Sequence, residues 1–175
     1  MRKLIATILT GGALIATAQA EELKAVVHQI TDRGVGDAIG SVAIVQTDAG
    51  ARFVTDLRGL PSGEHGFHIH EKGDCGPAPN TEGRMAAGMA AGGHWDPEGR
   101  KAHMGPEGRG HMGDLPVLSV QADGSAKGDA LAPRIKDVAA LKGKALMIHA
   151  GGDNYSDQPK PLGGGGARIA CGVIE

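Results

Sequence analysis

The sequence predicts an all-β domain, a sandwich or barrel of eight short strands, and three observations support this fold class. Short apolar runs alternate with turn signals, and no long segment sustains the 3.6-residue period of an amphipathic helix. Glycine accounts for 30 of the 175 residues, so much of the chain must be turn and loop. The chain is poor in aromatic residues, so Val, Ile, Leu and Ala must build the core, and Val and Ile favour strands. A chain of this length accommodates one domain.

The first four predicted strands are short apolar runs in the N-terminal part of the domain. The second and third are joined by Asp48-Ala49-Gly50, a plausible hairpin turn. The fourth ends with His68 and His70, whose spacing of two places both imidazoles on the same face of a strand. The four strands are Leu23–Thr31, Ser41–Thr47, Ala51–Leu57 and Glu64–His70.

Four further strands are predicted in the C-terminal part, and two long loops separate them from one another and from the first four. The fifth and sixth strands flank Asp123-Gly124, a dipeptide that is strongly favoured in tight hairpin turns. The loops are Glu71–Gly113 and Ala150–Ala167, and loops of that length in a compact domain are usually functional or disordered. The four strands are Leu115–Gln121, Ser125–Leu131, Ala145–His149 and Arg168–Ile174.

The N-terminal residues have the pattern of a secretory signal peptide. Arg2 and Lys3 precede an uncharged apolar stretch from Leu4 to Ala16, and Ala18-Gln19-Ala20 supplies the small residues that signal peptidase recognises. The apolar run is shorter than the ~20 residues needed to span a bilayer, which argues against a membrane anchor. We therefore expect residues 1–20 to be cleaved and residues 21–175 to form a single exported domain.

Export determines how the two cysteines are interpreted. Outside the cytosol, thiols oxidise and persist as disulfides, so Cys75 and Cys171 are predicted to form one bridge. Soft metal ligation is the weaker interpretation, because neither cysteine lies in a C-x-x-C pair or directly beside a histidine.

Six of the eight histidines occur at spacings that indicate metal binding. His68, His70 and His149 lie at the ends of predicted strands, and an all-imidazole set suits copper. A second set lies in or just after the glycine-rich first loop: His94, His103, His111 and Asp114. Such a loop can fold around one point, and three imidazoles with one carboxylate are typical of structural zinc. His28 and His65 have no partner at ligand spacing, and His65 is expected to pack or cap locally.

A methionine pair in the first loop is a further candidate for metal binding. The stretch Met85–Ala91 is rich in alanine and predicts a short helical turn. On such a turn the thioethers of Met85 and Met89 could bind Cu(I). Ordinary apolar packing is the more common role of such a pair.

Four segments resemble the signature segments of the copper/zinc superoxide dismutases. They are Gly66–Cys75 (GFHIHEKGDC), Gly93–Pro97 (GHWDP), His111–Leu115 (HMGDL) and Gly165–Ile174 (GGARIACGVI). The stretch from Asp153 to Gly166 resembles the bacterial, periplasmic branch of that family. The resemblance spans essentially all of residues 21–175, and its motifs are highly specific.

This resemblance implies a Greek-key β-sandwich of immunoglobulin-like architecture that holds one copper and one zinc ion. It places copper on His68, His70, His94 and His149, and zinc on His94, His103, His111 and Asp114. The imidazolate of His94 would then bridge the two ions. Cys75 and Cys171 match the family disulfide.

The resemblance also assigns residues that are not metal ligands. Arg168 matches the arginine that lies beside copper and guides the anionic substrate. Asp153 matches a carboxylate that links a copper histidine to a zinc histidine, although Asp157 is close enough to compete for that assignment. Further candidates for guiding the anion are three basic residues of the same loops: Lys72, Arg84 and Lys160.

The implied activity is dismutation of superoxide to dioxygen and hydrogen peroxide in the periplasm. A formal net charge of −2 gives no reason to expect nucleic acid as a partner. One alternative is an exported copper/zinc-binding protein without dismutase activity. Another is a zinc hydrolase, which needs a general base, but Glu71 projects from the strand face opposite to that of its neighbour His70. Whether the protein is a monomer or a homodimer stays open, since Trp95 suits either a core or an interface.

Overall fold

The computed structural model describes residues 22–175, which form eleven strands paired in antiparallel fashion and three short 3₁₀ turns. The strands are β1 (Glu22–Thr31), β2 (Gly34–Thr47), β3 (Gly50–Leu57), β4 (Gly63–His65), β5 (Phe67–His70), β6 (Ala78–Pro79), β7 (Met85–Ala86), β8 (Leu118–Val120), β9 (Ala126–Ala132), β10 (Ala145–His149) and β11 (Arg168–Val173). The turns are Met89–Ala91, Val138–Leu141 and Leu162–Gly164. Seven strands make one curled sheet in the order β5-β10-β11-β1-β2-β3-β9, while β4 pairs with β8 and β6 with β7.

The curled sheet closes into a barrel through the pair β4–β8. β4 and β5 belong to one run of chain that is interrupted at Gly66, so β8 lies beside the continuation of β5. β8 leads into β9 through a hairpin in which the Gln121 N–H donates to the Ser125 carbonyl at 2.8 Å. The connections from β3 to β4 and from β9 to β10 pass over the intervening strands. That is the Greek-key pattern, as predicted.

Alternating burial along the strands builds the core inside the barrel. In β1, Leu23, Ala25 and Val27 are buried while the residues between them are exposed, as a strand with one solvent-facing side requires. The fully buried rings of Phe53 and Phe67 meet edge to face with centroids 6.1 Å apart. Such a pair contributes about 0.5–1.5 kcal/mol beyond the burial of its surface. Aliphatic side chains fill most of the remaining core.

All eight predicted runs form strands, and the fourth is divided in two at Gly66. The Gly66 N–H donates to the Gly151 carbonyl at 2.7 Å, and its carbonyl accepts from the His149 N–H at 2.9 Å. These bonds attach the interruption to the chain at the end of β10. As a result β4 pairs with β8 while β5 pairs with β10.

The fifth predicted run is shorter than expected. Only Leu118–Val120 forms strand β8. Pro116 has no N–H to donate, and the Val117 N–H donates to the Tyr155 hydroxyl at 3.1 Å instead of to a neighbouring strand. The second run differs in the opposite sense, because β2 begins at Gly34 and is longer than predicted.

The helical turn predicted over Met85–Ala91 is wrong in its first half. Met85 begins the short strand β7, and only Met89–Ala91 forms a 3₁₀ turn. Met85 is 51% exposed, whereas Met89 is partly buried. The two thioethers therefore do not share the helical face on which the copper interpretation depended.

The predicted disulfide is present and joins the first loop to the barrel wall. Cys75, in the loop after β5, is bonded to Cys171 of β11; their Cα atoms are 5.7 Å apart and their sequence separation is 96. Both cysteines are buried. The bond therefore fixes the start of the long loop against the last strand.

Two expectations concern export. The signal peptide predicted over residues 1–20 lies outside the described residues and stays a prediction. Within residues 22–175, no helix is long and apolar enough to cross a membrane.

Removal of the disulfide should lower the free energy of unfolding by about 4–5 kcal/mol, because the bond closes a large loop and so reduces the conformational entropy of the unfolded chain. We expect the double variant C75S/C171S to show this loss in an equilibrium urea titration of the metal-free protein. Reductant should cause a similar loss in the unaltered protein and none in the double variant. A loss below about 1 kcal/mol would contradict the loop-closure argument.

Candidate metal centre

Two neighbouring strands of the barrel carry three of the predicted histidines. His68 and His70 lie on β5, and His149 ends β10, the strand with which β5 pairs. All three side chains are buried. The His149 ring centroid lies 4.9 Å from that of His68 and 5.6 Å from that of His70. Strand pairing alone therefore brings these three rings together.

The first loop returns along the outer side of β5 and brings in the other predicted ligands. Ile69 of β5 holds two segments of this loop, since its N–H donates to the Gly113 carbonyl at 2.9 Å and its carbonyl accepts from the Trp95 N–H at 2.8 Å. The Gly113 N–H in turn donates to the Trp95 carbonyl at 2.8 Å. These bonds place His94 and Asp114 directly beside β5.

The first group of candidate ligands is all imidazole. Its nitrogen atoms lie within 4.8 Å of one another, and its members are His68, His70, His94 and His149. The Nδ1 atoms of His70 and His149 lie 3.0 Å and 3.2 Å from the carbonyls of Gly92 and Gly166, so each ring carries its proton there. Burial, reinforced by neighbouring positive groups, holds the pKa of both rings well below its usual range. Both rings are therefore neutral and can present a lone pair.

The free nitrogens of the first group have the properties of metal donors. Within residues 22–175, no hydrogen-bond partner is found for Nδ1 of His68 or for Nε2 of His70, His94 and His149, although all four atoms are buried. Leaving one buried polar atom without a partner costs about 1–3 kcal/mol, so four at one point are unusual. A cation at that point would satisfy all four lone pairs, so the residues present fit a metal ion.

The second group surrounds a single carboxylate. Its ligand atoms also lie within 4.8 Å of one another, and its members are His94, His103, His111 and Asp114. Asp114 Oδ1 lies 3.0 Å from Nδ1 of His94, 3.0 Å from Nδ1 of His103 and 3.3 Å from Nδ1 of His111. Three nitrogens and one oxygen at a buried point match the donor set of a closed zinc site. His94 belongs to both groups, with Nδ1 in the second and Nε2 in the first.

Opposite charges set the protonation of the second group in the metal-free protein. Burial alone would lower the pKa of His103, but the carboxylates of Asp114 and Asp153 outweigh it and raise the pKa to about 9. Burial would likewise raise the pKa of Asp114, but the adjacent imidazoles of His103, His111 and His94 hold that pKa well below its usual range. The ring of His103 is therefore an imidazolium at neutral pH until a cation replaces the proton.

A second carboxylate joins the two groups from the side of the C-terminal loop. Asp153 Oδ2 lies 2.8 Å from Nε2 of His68, and Oδ1 lies 2.7 Å from Nε2 of His103. Asp157, the competing assignment, accepts instead from the backbone N–H of His103 at 2.9 Å. Gly163, with φ of 69°, lies so close to Asp153 that a Cβ there would collide with the carboxylate. The loop thus delivers Asp153, rather than Asp157, to the two rings.

Arg168 lies beside the first group and is fixed by backbone carbonyls. Nη1 donates to the Gly88 carbonyl at 2.6 Å, and Nη2 donates to the Gly92 carbonyl at 2.7 Å. The Gly92 carbonyl also accepts from Nδ1 of His70 at 3.0 Å. Burial lowers the pKa of Arg168, yet a guanidinium keeps its charge at any physiological pH. A fixed positive charge therefore stands next to the four converging nitrogens.

The match to known proteins decides the family. A family model described as copper/zinc superoxide dismutase matches residues 38–174. The chain belongs to the copper/zinc superoxide dismutase family. The resemblance of its motifs to that family is confirmed.

Relatives and solved structures agree over most of the chain. The copper/zinc superoxide dismutase of Escherichia coli K12 is 56% identical over 163 residues, which cover 93% of this chain and 94% of the relative. The structure of the Brucella abortus enzyme superposes with a TM-score of 0.86 at 47% identity, covering 89% of this chain and 100% of that one. The solution structure of the monomeric Salmonella enterica enzyme superposes with a TM-score of 0.78 at 55% identity, with coverages of 89% and 100%.

As a copper/zinc superoxide dismutase, the protein is an enzyme that converts superoxide to dioxygen and hydrogen peroxide with copper and zinc as cofactors. The predicted fold, activity and cofactors are confirmed. The zinc hydrolase has no support, since Glu71 is exposed and its carboxylate accepts from the Gly93 N–H at 3.3 Å. A homodimer stays a prediction.

The two histidines without an assigned metal lie outside both groups of this dismutase. His65 is buried, with Nδ1 2.7 Å from the His149 carbonyl and Nε2 2.8 Å from the Pro61 carbonyl, so the expected local packing is confirmed. His28 lies near the surface, where Nδ1 is 3.1 Å from the Gly36 carbonyl.

Sequence reasoning missed one residue that shapes this metal centre, Tyr155. Its N–H donates to Asp153 Oδ1 at 2.8 Å, and its hydroxyl accepts from the Val117 N–H at 3.1 Å. Its backbone has φ of 58°, and its ring lies against Gly105, where a side chain would collide with it. The contacts with Val117 and Gly105 join residues that are far apart in sequence, so no local pattern could have indicated them.

Zinc binding to the metal-free protein should release a proton from His103, because the ring is protonated below about pH 9 and only the neutral ring can bind a cation. We expect about one proton per zinc ion from this ring at about pH 8, and a fall towards zero as the pH rises through about 9. Calorimetric titrations in buffers of different ionisation enthalpy measure the number released.

Asp153→Asn provides the matched comparison for that titration. It removes one of the two carboxylates that raise the pKa of His103, so fewer protons should be released at the same pH. Proton release that does not change between about pH 8 and 10 would contradict the assignment of this proton to His103.

Proposed function

We propose that each metal ion of this dismutase has its own group of ligands and that His94 serves both. Copper is held by His68, His70, His94 and His149, and zinc is held by His94, His103, His111 and Asp114. The observation that carries this assignment is the position of the His94 ring. Its Nδ1 lies 3.0 Å from Asp114 Oδ1, while its buried Nε2 has no hydrogen-bond partner within residues 22–175 and faces the other three histidines.

The chemistry of the two donor sets favours this distribution. Bound copper supplies the electron exchange with superoxide, since it has two accessible valences, and an all-imidazole set suits it. Three imidazoles and a carboxylate form the closed set in which zinc acts structurally. The loop-borne group therefore fixes the His94 ring, and the strand-borne group faces the substrate.

We infer that Nε2 of His94 is the atom at which this chain holds the proton delivered to product. With Nδ1 engaged in the second group, Nε2 can either face a cation or carry a proton, and it cannot do both. Burial lowers the pKa of His94 to about 3, so the ring does not take up an additional proton at neutral pH. If a cation of the second group holds Nδ1, the single proton of the neutral ring would lie on Nε2, where it could be donated to the reduced product.

Asp153 fixes the orientation of one ring in each group. Because it accepts from Nε2 of His68 and Nε2 of His103, it leaves Nδ1 of each ring directed at its metal position. Carboxylates in this role raise the basicity of the ligand and set its tautomer. Asp153 is therefore a positioning residue rather than a ligand.

Arg168 attracts and orients the superoxide anion. Its guanidinium is held by the carbonyls of Gly88 and Gly92, so the positive charge has a fixed place beside the first group. A local positive field can draw an anion to a protein whose net charge is negative. Among the other basic candidates, Lys72 and Lys160 are exposed, whereas Arg84 forms an ion pair with Glu82 that weakens its field.

The mature enzyme is proposed to act in the periplasm. The N-terminal pattern of residues 1–20 supports export, and the disulfide between Cys75 and Cys171 is of the kind that persists outside the cytosol. Cleavage after the signal peptide would leave a chain that begins at Glu21.

Variants of residues that belong to only one group should separate the two ions. We expect the copper affinity and superoxide turnover of His149→Ala to fall by about tenfold or more while its zinc affinity is kept. The zinc affinity of His111→Ala should fall by a similar factor. Elemental analysis of protein purified from the periplasm measures the metal content, and pulse radiolysis measures the turnover. The mass of the same protein shows whether the chain begins at Glu21. His28→Ala, which changes a histidine outside both groups, should keep both ions and full turnover.

Two results of that experiment would contradict the proposal. Loss of zinc alone from His149→Ala would overturn the assignment of ions to groups. Tight copper binding by the unaltered protein without turnover would favour a metal-binding protein that lacks dismutase activity.

Replacement of Arg168 should slow the encounter with superoxide. Electrostatic attraction raises association rates by about 10- to 1000-fold, so we expect Arg168→Met to lose at least about tenfold in kcat/KM and part of the salt dependence. Arg168→Lys, which keeps the charge, should lose less. Arg52→Met, at an exposed arginine 3.5 Å from Asp129, is the matched control. An unchanged salt dependence with unchanged copper content would remove Arg168 from this role.

A further inference from the structure

We propose that Arg134 is a positioning residue that clamps the metal-binding loop to the barrel and so sets the affinity of the second group for zinc. This inference rests on the proposed assignment of zinc to that group. Arg134 follows β9, and its side chain is 20% exposed. It is remote in sequence from the ligands, and its guanidinium acts on the backbone of the loop.

The guanidinium donates to two consecutive carbonyls of the loop. Nη1 donates to the His111 carbonyl at 3.1 Å, and Nη2 donates to the Gly110 carbonyl at 3.0 Å. These carbonyls belong to the peptide planes on either side of the His111 Cα atom. Fixing both planes fixes the backbone of His111, and with it the direction in which its ring leaves the chain. The planar fork of an arginine is pre-organised to hold two such acceptors at once.

The barrel side of this clamp is rigid. Ile135, the next residue, is 2% exposed, and its side chain belongs to the main core. Its carbonyl accepts from the Ala51 N–H of β3 at 2.9 Å, and its N–H donates to the Ala132 carbonyl of β9 at 3.2 Å. Arg134 therefore extends from a backbone that is anchored to two strands.

The loop side of the clamp reaches the other zinc ligands through the backbone. The His111 N–H donates to the Ala102 carbonyl at 2.8 Å, beside His103. The Met104 N–H donates to Asp114 Oδ2 at 3.1 Å. Through these bonds, a change in the backbone of His111 shifts the segment that carries His103 and its contact with Asp114.

Because the loop is rich in glycine, ordering it without a clamp has a large entropic cost. Gly105, Gly108, Gly110 and Gly113 lie between the ligands, and Gly105 has φ of 67°. A glycine loses more backbone freedom on ordering than any other residue. If Arg134 holds the loop before zinc binds, the entropic cost of ordering the loop is no longer subtracted from the free energy of zinc binding. The affinity for zinc therefore rises. The strand-borne histidines of the first group have no such need.

Glu98 makes a weaker contribution to the same arrangement. Its Oε2 lies 3.8 Å from Nη2 of Arg134 and 3.0 Å from Nε of Arg100, and its side chain is 44% exposed. Exposed pairs at such distances contribute little. The carbonyl bonds of Arg134, rather than its charge, therefore carry the proposed effect.

The test compares zinc affinity in matched variants of the copper-free, full-length mature protein. A chromophoric chelator in competition gives the zinc dissociation constant, and the visible spectrum of the Co²⁺-substituted protein reports the geometry of the second group. We expect Arg134→Met to weaken zinc binding by about 10- to 100-fold, as substitutions next to metal ligands do, and to alter the cobalt spectrum. Arg134→Lys should be intermediate, since an ammonium can hold one carbonyl well. Arg52→Met and Glu98→Gln, the controls, should change the constant by less than about threefold.

Copper affinity separates positioning from general damage. We expect the copper dissociation constant of Arg134→Met, with zinc already bound, to stay within about threefold of that of Arg52→Met. If Arg134→Met does not fold, Arg134→Lys carries the same comparison. Equal losses of copper and zinc affinity would overturn the inference, as would zinc affinity and a cobalt spectrum like those of the control. An unaltered protein that binds no zinc at all would instead overturn the proposed function.

Discussion

The structure depends on one ring whose two nitrogens serve two different groups. Nδ1 of His94 lies 3.0 Å from Asp114, while Nε2 points among the strand-borne histidines, so the ring can be neither rotated nor shifted without disturbing both. The backbone beside it is correspondingly constrained, because the Trp95 N–H and carbonyl are both used to fasten the loop around Ile69. The separation of the two nitrogens of the His94 ring thus determines the distance between the loop and the barrel.

The fold divides the metal centre between a rigid part and an adaptable part. Three histidines of the first group stand on paired strands, whose hydrogen bonds fix them without help from a metal. The other ligands stand on a glycine-rich loop, where direction must be set by additional contacts. Asp153 supplies one of these contacts from a separate loop, and the close approach of Gly163 shows how little space that arrangement leaves. Carboxylates and backbone carbonyls, together with the packing of Trp95, Met112 and Leu115 in the core, therefore determine the geometry of the loop-borne half.

Local patterns in the sequence predicted the strands and most of the site, and long-range contacts explain the remainder. Alternating apolar residues located the strands of the barrel but not the two-residue strands β6 and β7, and the shortened β8 depends on a bond between Val117 and Tyr155 that no alternating pattern indicates. The spacing of histidines indicated two metal groups, since ligands on strands and in one loop recur at short intervals. The choice between Asp153 and Asp157 required the path of the second loop, which the sequence left open. The signal peptide lies outside the described residues and is supported by the sequence pattern alone.

Closure of the barrel has a consequence for the behaviour of this protein in a crowded compartment. A strand at the margin of a sheet presents unpaired amides and carbonyls, which another molecule can extend into an aggregate. At one margin here, β9 continues through its hairpin into β8; at the other, the N–H and carbonyl of Ile69 in β5 are satisfied by the metal-binding loop. The loop that carries the ligands thus also covers the edge strand of the sheet. Resistance to intermolecular strand addition and the capacity to bind metal are properties of the same stretch of chain.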